Sequence, residues 1–207
     1  MKTLIVHSII AESQGDVNRH INLLRHCKRF QLDVMDGKFV NNVSCFFDFK
    51  LPKKYFFEAH LMVNDPIDWI KKYGSKVDLI IAPIESVKDF EKLKKLVKSK
   101  KKKLGLALNP ETPVEKIKPY IKDLYQVLVL TVHPGKYGAE FLPEMLDKVR
   151  ELRKLSKKLN IEVDGGMDLE NVVKAKEAGA NLIVAGSFVS NSDCPSLTFD
   201  ELQKIVK

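Results

Sequence analysis

Short apolar runs and amphipathic stretches alternate from one end of the chain to the other. Alternating or continuous apolar patterns predict strands at Leu4–Ile10, Phe30–Met35, Phe56–Val63, Asp78–Glu85, Lys103–Asn109, Tyr125–Val132, Ile161–Asp164 and Leu182–Val189. Helical spacing of apolar residues predicts helices near Asp16–Cys27, Pro66–Tyr73, Val87–Lys100, Pro113–Ile121, Pro143–Leu159, Leu169–Ala178 and Phe199–Val206. Asp65 and Thr112 each stand before a proline, as an N-cap does, and Ala178-Gly179 is a helix stop.

Eight strands in strict alternation with about seven helices call for a parallel sheet with helices outside it. Eight such units closing on themselves make an α/β fold, the (β/α)₈ TIM barrel, expected here as a single domain over residues 1–207. The competitor is an open doubly wound sheet, which would more often carry a GxGxxG turn after the first strand; this chain has none. Between Val40 and Tyr55 no helical stripe is visible, so the second crossover helix is expected to be short or missing.

Several strands carry a polar group at or near the C-terminal end, where a barrel builds its active site. The residues delivered there are Ser8, Asp33, His60, Glu85, Asn109, His133, Asp164 and Ser187. A carboxylate inside a strand costs several kcal/mol unless it is paired or bound to metal, so Asp33 calls for a reason. Asp33, His60 and Asp164 are ligands of the kind that hold a divalent cation. Two carboxylates on opposed strands suit removal of a proton from one face of a bound molecule and its return on the other. A metal would stabilise the enediolate formed in between. Asp164-Gly165-Gly166 and Ala185-Gly186-Ser187 follow the seventh and eighth strands. Glycine there lets backbone N–H groups approach an anion, and barrels commonly bind phosphate at this place.

Composition adds bounds. The 207 residues are 44% apolar and 30% charged, ordinary values for a globular protein. Three cysteines without metal-like spacing fit reduced thiols, and the start is too polar for a signal-peptide core, so the expected location is cytoplasmic. No apolar stretch approaches roughly 20 residues, so no membrane partner is expected. The net charge of +8 owes much to Lys92 to Lys103, where eight of twelve residues are lysine. Leu93, Leu96 and Val97 place those lysines on a solvated helix face, and no aromatic or arginine interleaves, so no nucleic-acid partner is expected.

Over nearly its whole length the chain resembles ribulose-phosphate 3-epimerases. The segments are LDVMDG (Leu32–Gly37), HLMV (His60–Val63), GLALNPETP (Gly105–Pro113), TVHPG (Thr131–Gly135), FLPEMLDKVREL (Phe141–Leu152), IEVDGG (Ile161–Gly166) and AGANLIVAGS (Ala178–Ser187). The resemblance implies a metal-dependent barrel that inverts carbon 3 of a ketopentose phosphate in the pentose phosphate pathway, interconverting D-ribulose 5-phosphate and D-xylulose 5-phosphate. It implies Asp33 and Asp164 as the two acid/bases, one divalent cation (Zn, Fe, Mn or Mg) on Asp33, His60 and Asp164, and Ser8, His60, Met35 and Met62 beside the substrate. Gly165, Gly166, Gly186 and Ser187 match the phosphate seat, and Gly135 and Gly138 the loop that helps hold the substrate. A homo-oligomer is left open.

The chain also departs from the family pattern. Gln31 stands where the family has a second metal-binding histidine; its neutral oxygen should lower affinity and favour harder cations. His133, on a neighbouring loop, is the residue that would have to compensate. Pro83 replaces a histidine, Leu130 a methionine, and the glycine- and phenylalanine-rich loop reads Gly135-Lys136-Tyr137-Gly138-Ala139. These changes keep two rivals open: epimerisation of a ketohexose phosphate, and binding of a sugar phosphate without turnover.

Overall fold

The computed structural model describes residues 2–134 and 139–207. Eight parallel strands close into a barrel in the order β1 (Leu4–Ile9), β2 (Arg29–Asp36), β4 (Phe56–Met62), β5 (Leu79–Pro83), β6 (Lys103–Leu108), β7 (Gln126–Leu130), β8 (Asn160–Asp164) and β9 (Leu182–Val184). Closure is made by β1, which pairs with β9 on one side and β2 on the other. A two-residue strand, β3 (Val43–Ser44), lies antiparallel on the end of β2.

The alternation within each strand separates two layers. Phe30, Leu32 and Val34 face outwards into one continuous core between the barrel and its helices. The inward positions of β5, β6 and β7 make a small apolar cluster of Leu79, Ile81, Ala107, Leu128 and Leu130, and those of β1 and β9 another of Val6, Leu182 and Val184. Polar side chains fill the rest of the interior. Arg29, Gln31 and Asp33 rise along β2, Glu58 and His60 along β4, and Glu162 and Asp164 along β8, each pair two residues apart and so on one face.

The helices are α1 (Gln14–Leu23), α2 (Pro66–Tyr73), α3 (Phe90–Ser99), α4 (Leu146–Leu155), α5 (Asn171–Ala178), α6 (Ser187–Ser190) and α7 (Pro195–Ile205). The caps have local causes. Ser13 and Asp16 form a capping box before α1, Asp65 caps α2 ahead of Pro66, and Gly179 ends α5 in the left-handed region at φ 110°. As expected, residues 40–55 carry no helix. Phe49 takes its place, fully buried and stacked at 6.4 Å on Trp69 and 5.7 Å on Tyr73. Burying one phenylalanine is worth about 1.5–3 kcal/mol, so a loop side chain does part of a helix's work.

Three expectations need correcting. The segment from Pro113 to Ile121 forms two 3-10 pieces, Val114–Lys116 and Lys118–Asp123, because Pro119 supplies no N–H to continue an α-helix. Thr112 is no cap; its hydroxyl donates to Glu85. The last strand ends at Val184, five residues short of its predicted end, since the chain turns into α6 after Gly186.

Candidate active site

A cavity of about 420 Å³ opens at the C-terminal end of the strands. Of the side chains and backbone segments singled out in the sequence, Ser8, Asp33, Met35, His60, Met62, His133, Asp164, Gly165, Gly166, Gly186 and Ser187 all line it. Gly135, Lys136, Tyr137 and Gly138 lie outside the described residues.

At the cavity floor Asp33, His60 and Asp164 each offer a ligand atom within 4.8 Å of the others. His60 is fully buried, and among the described residues neither ring nitrogen has a hydrogen-bond partner. Its Nδ1 lies 3.7 Å from Asp164 and 3.9 Å from Asp33. A buried imidazole left without partners is costly unless something else coordinates it, so the residues fit a divalent cation. Gln31, just below, donates from Nε2 to Asp33 at 2.8 Å and to Asp164 at 2.7 Å, while its Oε1 has no partner among the described residues. Turning that amide over would aim the oxygen at the cluster. His133 stays at the rim, 64% exposed and paired with Glu111 at 2.9 Å, so it does not replace the missing histidine.

Burial, and then the negative charge of Asp164, push Asp33 up to about 7, against His60 and hydrogen bonds from Gln31 and Ser8. A carboxyl that exchanges its proton near neutrality is suited to general acid–base work. Thr131 holds the backbone beneath its partner: its hydroxyl donates to the carbonyls of Asp164 at 3.0 Å and Gly165 at 2.7 Å.

The glycines have two distinct causes. Gly165 and Gly166 sit at φ 116° and 67°, and a Cβ there would come within 2.4 Å of Val132 and 2.8 Å of Phe141. Backbone and packing require them whether or not an anion binds. At Gly186, φ is ordinary, yet a Cβ would stand 2.2 Å from the Ser8 hydroxyl. That space opens on the cavity.

Two expected members do not reach the site. Glu85 falls in a 3-10 turn after β5 and accepts from the Asn109 N–H at 3.1 Å and the Thr112 hydroxyl, so Glu85 and Asn109 tie loops together outside the cavity. Sequence reasoning missed other members, among them His20, Asn42, Met167 and Ser190. It also missed the floor below the site. There Arg29 donates to Glu58 from Nε at 3.0 Å and from Nη2, and to Gln126 from Nη2; Glu162 lies 4.0 Å away. The signal was present in the spacing: Glu58 and Glu162 stand two residues before His60 and Asp164.

Comparison with known proteins agrees with this geometry. The model of the ribulose-phosphate 3 epimerase family matches residues 4–190. The chain is 39% identical over 183 residues to the ribulose-phosphate 3-epimerase of Schizosaccharomyces pombe, covering 84% of this chain and 80% of that one. It is 37% identical over 172 residues to the enzyme of that name from Methanocaldococcus jannaschii, covering 79% and 73%. Solved structures of a 3-hexulose-6-phosphate synthase (TM-score 0.70, 13% identity, 100% of both chains) and of KGPDC from Streptococcus mutans (0.75, 9%, 100% and 98%) share the barrel. At such identities they bear on the fold alone. The sequence matches and the paired aspartates on opposed strands converge on one assignment: the chain belongs to the ribulose-phosphate 3-epimerase family, isomerases that act on carbohydrates.

Proposed function

We propose that this chain interconverts D-ribulose 5-phosphate and D-xylulose 5-phosphate by two-base proton transfer at carbon 3, assisted by one divalent cation. The observation that carries the reading is the pair of buried Asp33 and half-buried Asp164, joined by Gln31 beneath a sugar-sized cavity. A molecule that only binds sugar phosphate has no use for two opposed carboxylates.

One aspartate, ionised, removes the proton of carbon 3 from one face. The other, protonated, delivers a proton to the opposite face, and the two exchange roles in the reverse direction. Burial, and then repulsion from Asp164, favour the protonated form of Asp33, which suits it to deliver that proton. Asp33, His60 and Asp164 would hold the cation, with Gln31 at its edge. When bound, the cation supplies Lewis-acid stabilisation to the developing enediolate oxygens. Met35 and Met62, adjacent partners in the β2–β4 register and both nearly buried, give the sugar an apolar wall that excludes water. The phosphate rests against backbone N–H groups of Gly165, Gly166, Gly186 and Ser187, with Ser8 beside it.

The same reading makes residues 1–207 one catalytic domain acting in the cytoplasm. Buried free thiols at Cys27 and Cys45 support that placement, as does a rice relative named as a cytoplasmic isoform. Among the described residues no helix is long and apolar enough to cross a membrane.

The test is turnover of ribulose 5-phosphate in deuterium oxide. Xylulose 5-phosphate should appear with deuterium at carbon 3. Product without solvent label would defeat the two-base scheme, and no product would defeat the substrate assignment.

A further inference from the structure

The cavity wall formed by β1 and α1 holds a pair of histidines that the proton-transfer chemistry does not use. His7 is 1% exposed and has both ring nitrogens committed: Nδ1 lies 3.0 Å from the Ala185 carbonyl and Nε2 lies 3.0 Å from His20 Nδ1. A carbonyl only accepts, so Nδ1 of His7 carries the hydrogen. Neutral His7 then offers a lone pair at Nε2, and His20 must donate from Nδ1. Burial pushes His7 down to about 4, which keeps it in that neutral, accepting form near neutral pH. Of the four ring nitrogens, Nε2 of His20 alone has no partner among the described residues. Its ring lines the same cavity as Gly186, Ser187 and Ser190, and Ala185, which anchors His7, directly precedes Gly186.

We propose that His20 is a substrate-binding residue, donating from Nε2–H to the phosphate group held at Gly186 and Ser187. The proposal rests on the sugar-phosphate reading of the cavity. A cationic imidazole forms a charge-assisted bond to a phosphate oxygen, and His20 can become cationic without disturbing either bond made by His7. The charged groups that face His20 are Arg19 and Asp16, on its own helix and paired with each other at 3.1 Å. From β1 it meets neutral His7, and Ser187 and Ser190 on α6 bring no charge. In the free protein burial, then Arg19, hold His20 below the ordinary histidine range, so the arriving dianion supplies the missing counter-charge. His7 is a positioning residue, fixing the tautomer from behind.

Inorganic phosphate is the probe. In the wild-type protein with labelled histidine, NMR titration should show the His20 pKa rising by about one unit or more at saturating phosphate. An unchanged His20 titration would overturn the proposal without any variant having to fold. His20→Ala should weaken phosphate binding and raise the KM for ribulose 5-phosphate by about tenfold to a hundredfold, with a smaller fall in kcat. His20→Gln, whose amide can donate from a similar position without charge, should recover part of that loss. Wild-type KM and phosphate affinity in His20→Ala would overturn the proposal while leaving the epimerase assignment intact. Phosphate binding that depends on His20, in a protein that turns over no ribulose 5-phosphate, would defeat only the epimerase assignment.

Discussion

Gln31 donates to Asp164 across the barrel interior at 2.7 Å, from the same nitrogen that serves Asp33 at 2.8 Å. A neutral amide thus holds together two carboxylates that would otherwise repel. Its own oxygen is buried without a partner among the described residues. The proposed cation site would then have three ligands in Asp33, His60 and Asp164 and a weaker one in Gln31. His60→Ala should abolish bound metal, and Gln31→His should tighten it by about tenfold, one imidazole replacing one carbonyl oxygen. Metal content after dialysis against graded chelator measures both. Full activity in chelator-treated protein, unaltered on adding metal back, would refute the site.

Asp33→Asn and Asp164→Asn should each lower kcat by about 10²–10⁴, the usual worth of a general acid–base group. Each keeps shape and hydrogen bonding while removing the proton acceptor. Substrate binding, followed by displacement of a fluorescent or NMR-visible ligand, should change far less than turnover. Loss confined to KM would mean that the aspartates only bind.

Gly186→Val should raise KM strongly, since even a Cβ at this position would stand 2.2 Å from the Ser8 hydroxyl. The free sugars should be poor substrates, because binding energy from the phosphate orients the reacting carbon. Comparable turnover of free ribulose would show that the glycines make turns and nothing more.

The barrel floor separates two kinds of buried carboxyl. Burial, and then the charge of Glu58, raise Glu162 well above the usual carboxylate range and so favour its protonated form, against the pull of the Arg29 guanidinium. Glu162→Gln should therefore leave stability at pH 7 nearly unchanged. Arg29→Met, which strands Glu58 without its cation, should cost about 3–5 kcal/mol by urea denaturation. Equal losses in the two variants would contradict a protonated Glu162.

His7 should make the fold sensitive to acid. Its folded-state pKa, lowered from 6.5 to about 4, means that the unfolded chain binds a proton there before the folded one does. The stabilisation is present above 6.5 and is lost as pH falls towards 4, reaching about 3 kcal/mol. His7→Phe should flatten the stability profile over that window when compared with wild type. Parallel profiles would show that the ring is not the group responsible.

The strands were legible because each is an alternating or a continuous apolar run, and the outward core of Phe30, Leu32 and Val34 is the product of the alternation in β2. Asp33, His60 and Asp164 were legible because ionisable groups rarely sit within buried strands without a task. Glu85 and Asn109 were misplaced for a related reason. Proximity to a strand end does not fix direction, and β5 ends at Pro83, leaving Glu85 on a turn. The break in the helix predicted after Pro113 was readable from Pro119, whose missing N–H outweighed the apolar spacing. His20 had no sequence signal at all. It reaches the cavity only because α1 packs across β1, a relation carried by tertiary contact.

The loop after β6 is gripped from both sides: Glu85 takes the Asn109 N–H, and Lys148 Nζ donates to the carbonyls of Asn109, Pro110 and Thr112 at 2.9, 2.6 and 2.7 Å. Among the described residues, none between Leu79 and Asn109 lines the cavity. The rim is therefore divided between a reactive arc and a bracing arc. A substitution on the bracing arc should lower heat tolerance before it touches the chemistry of the reactive arc.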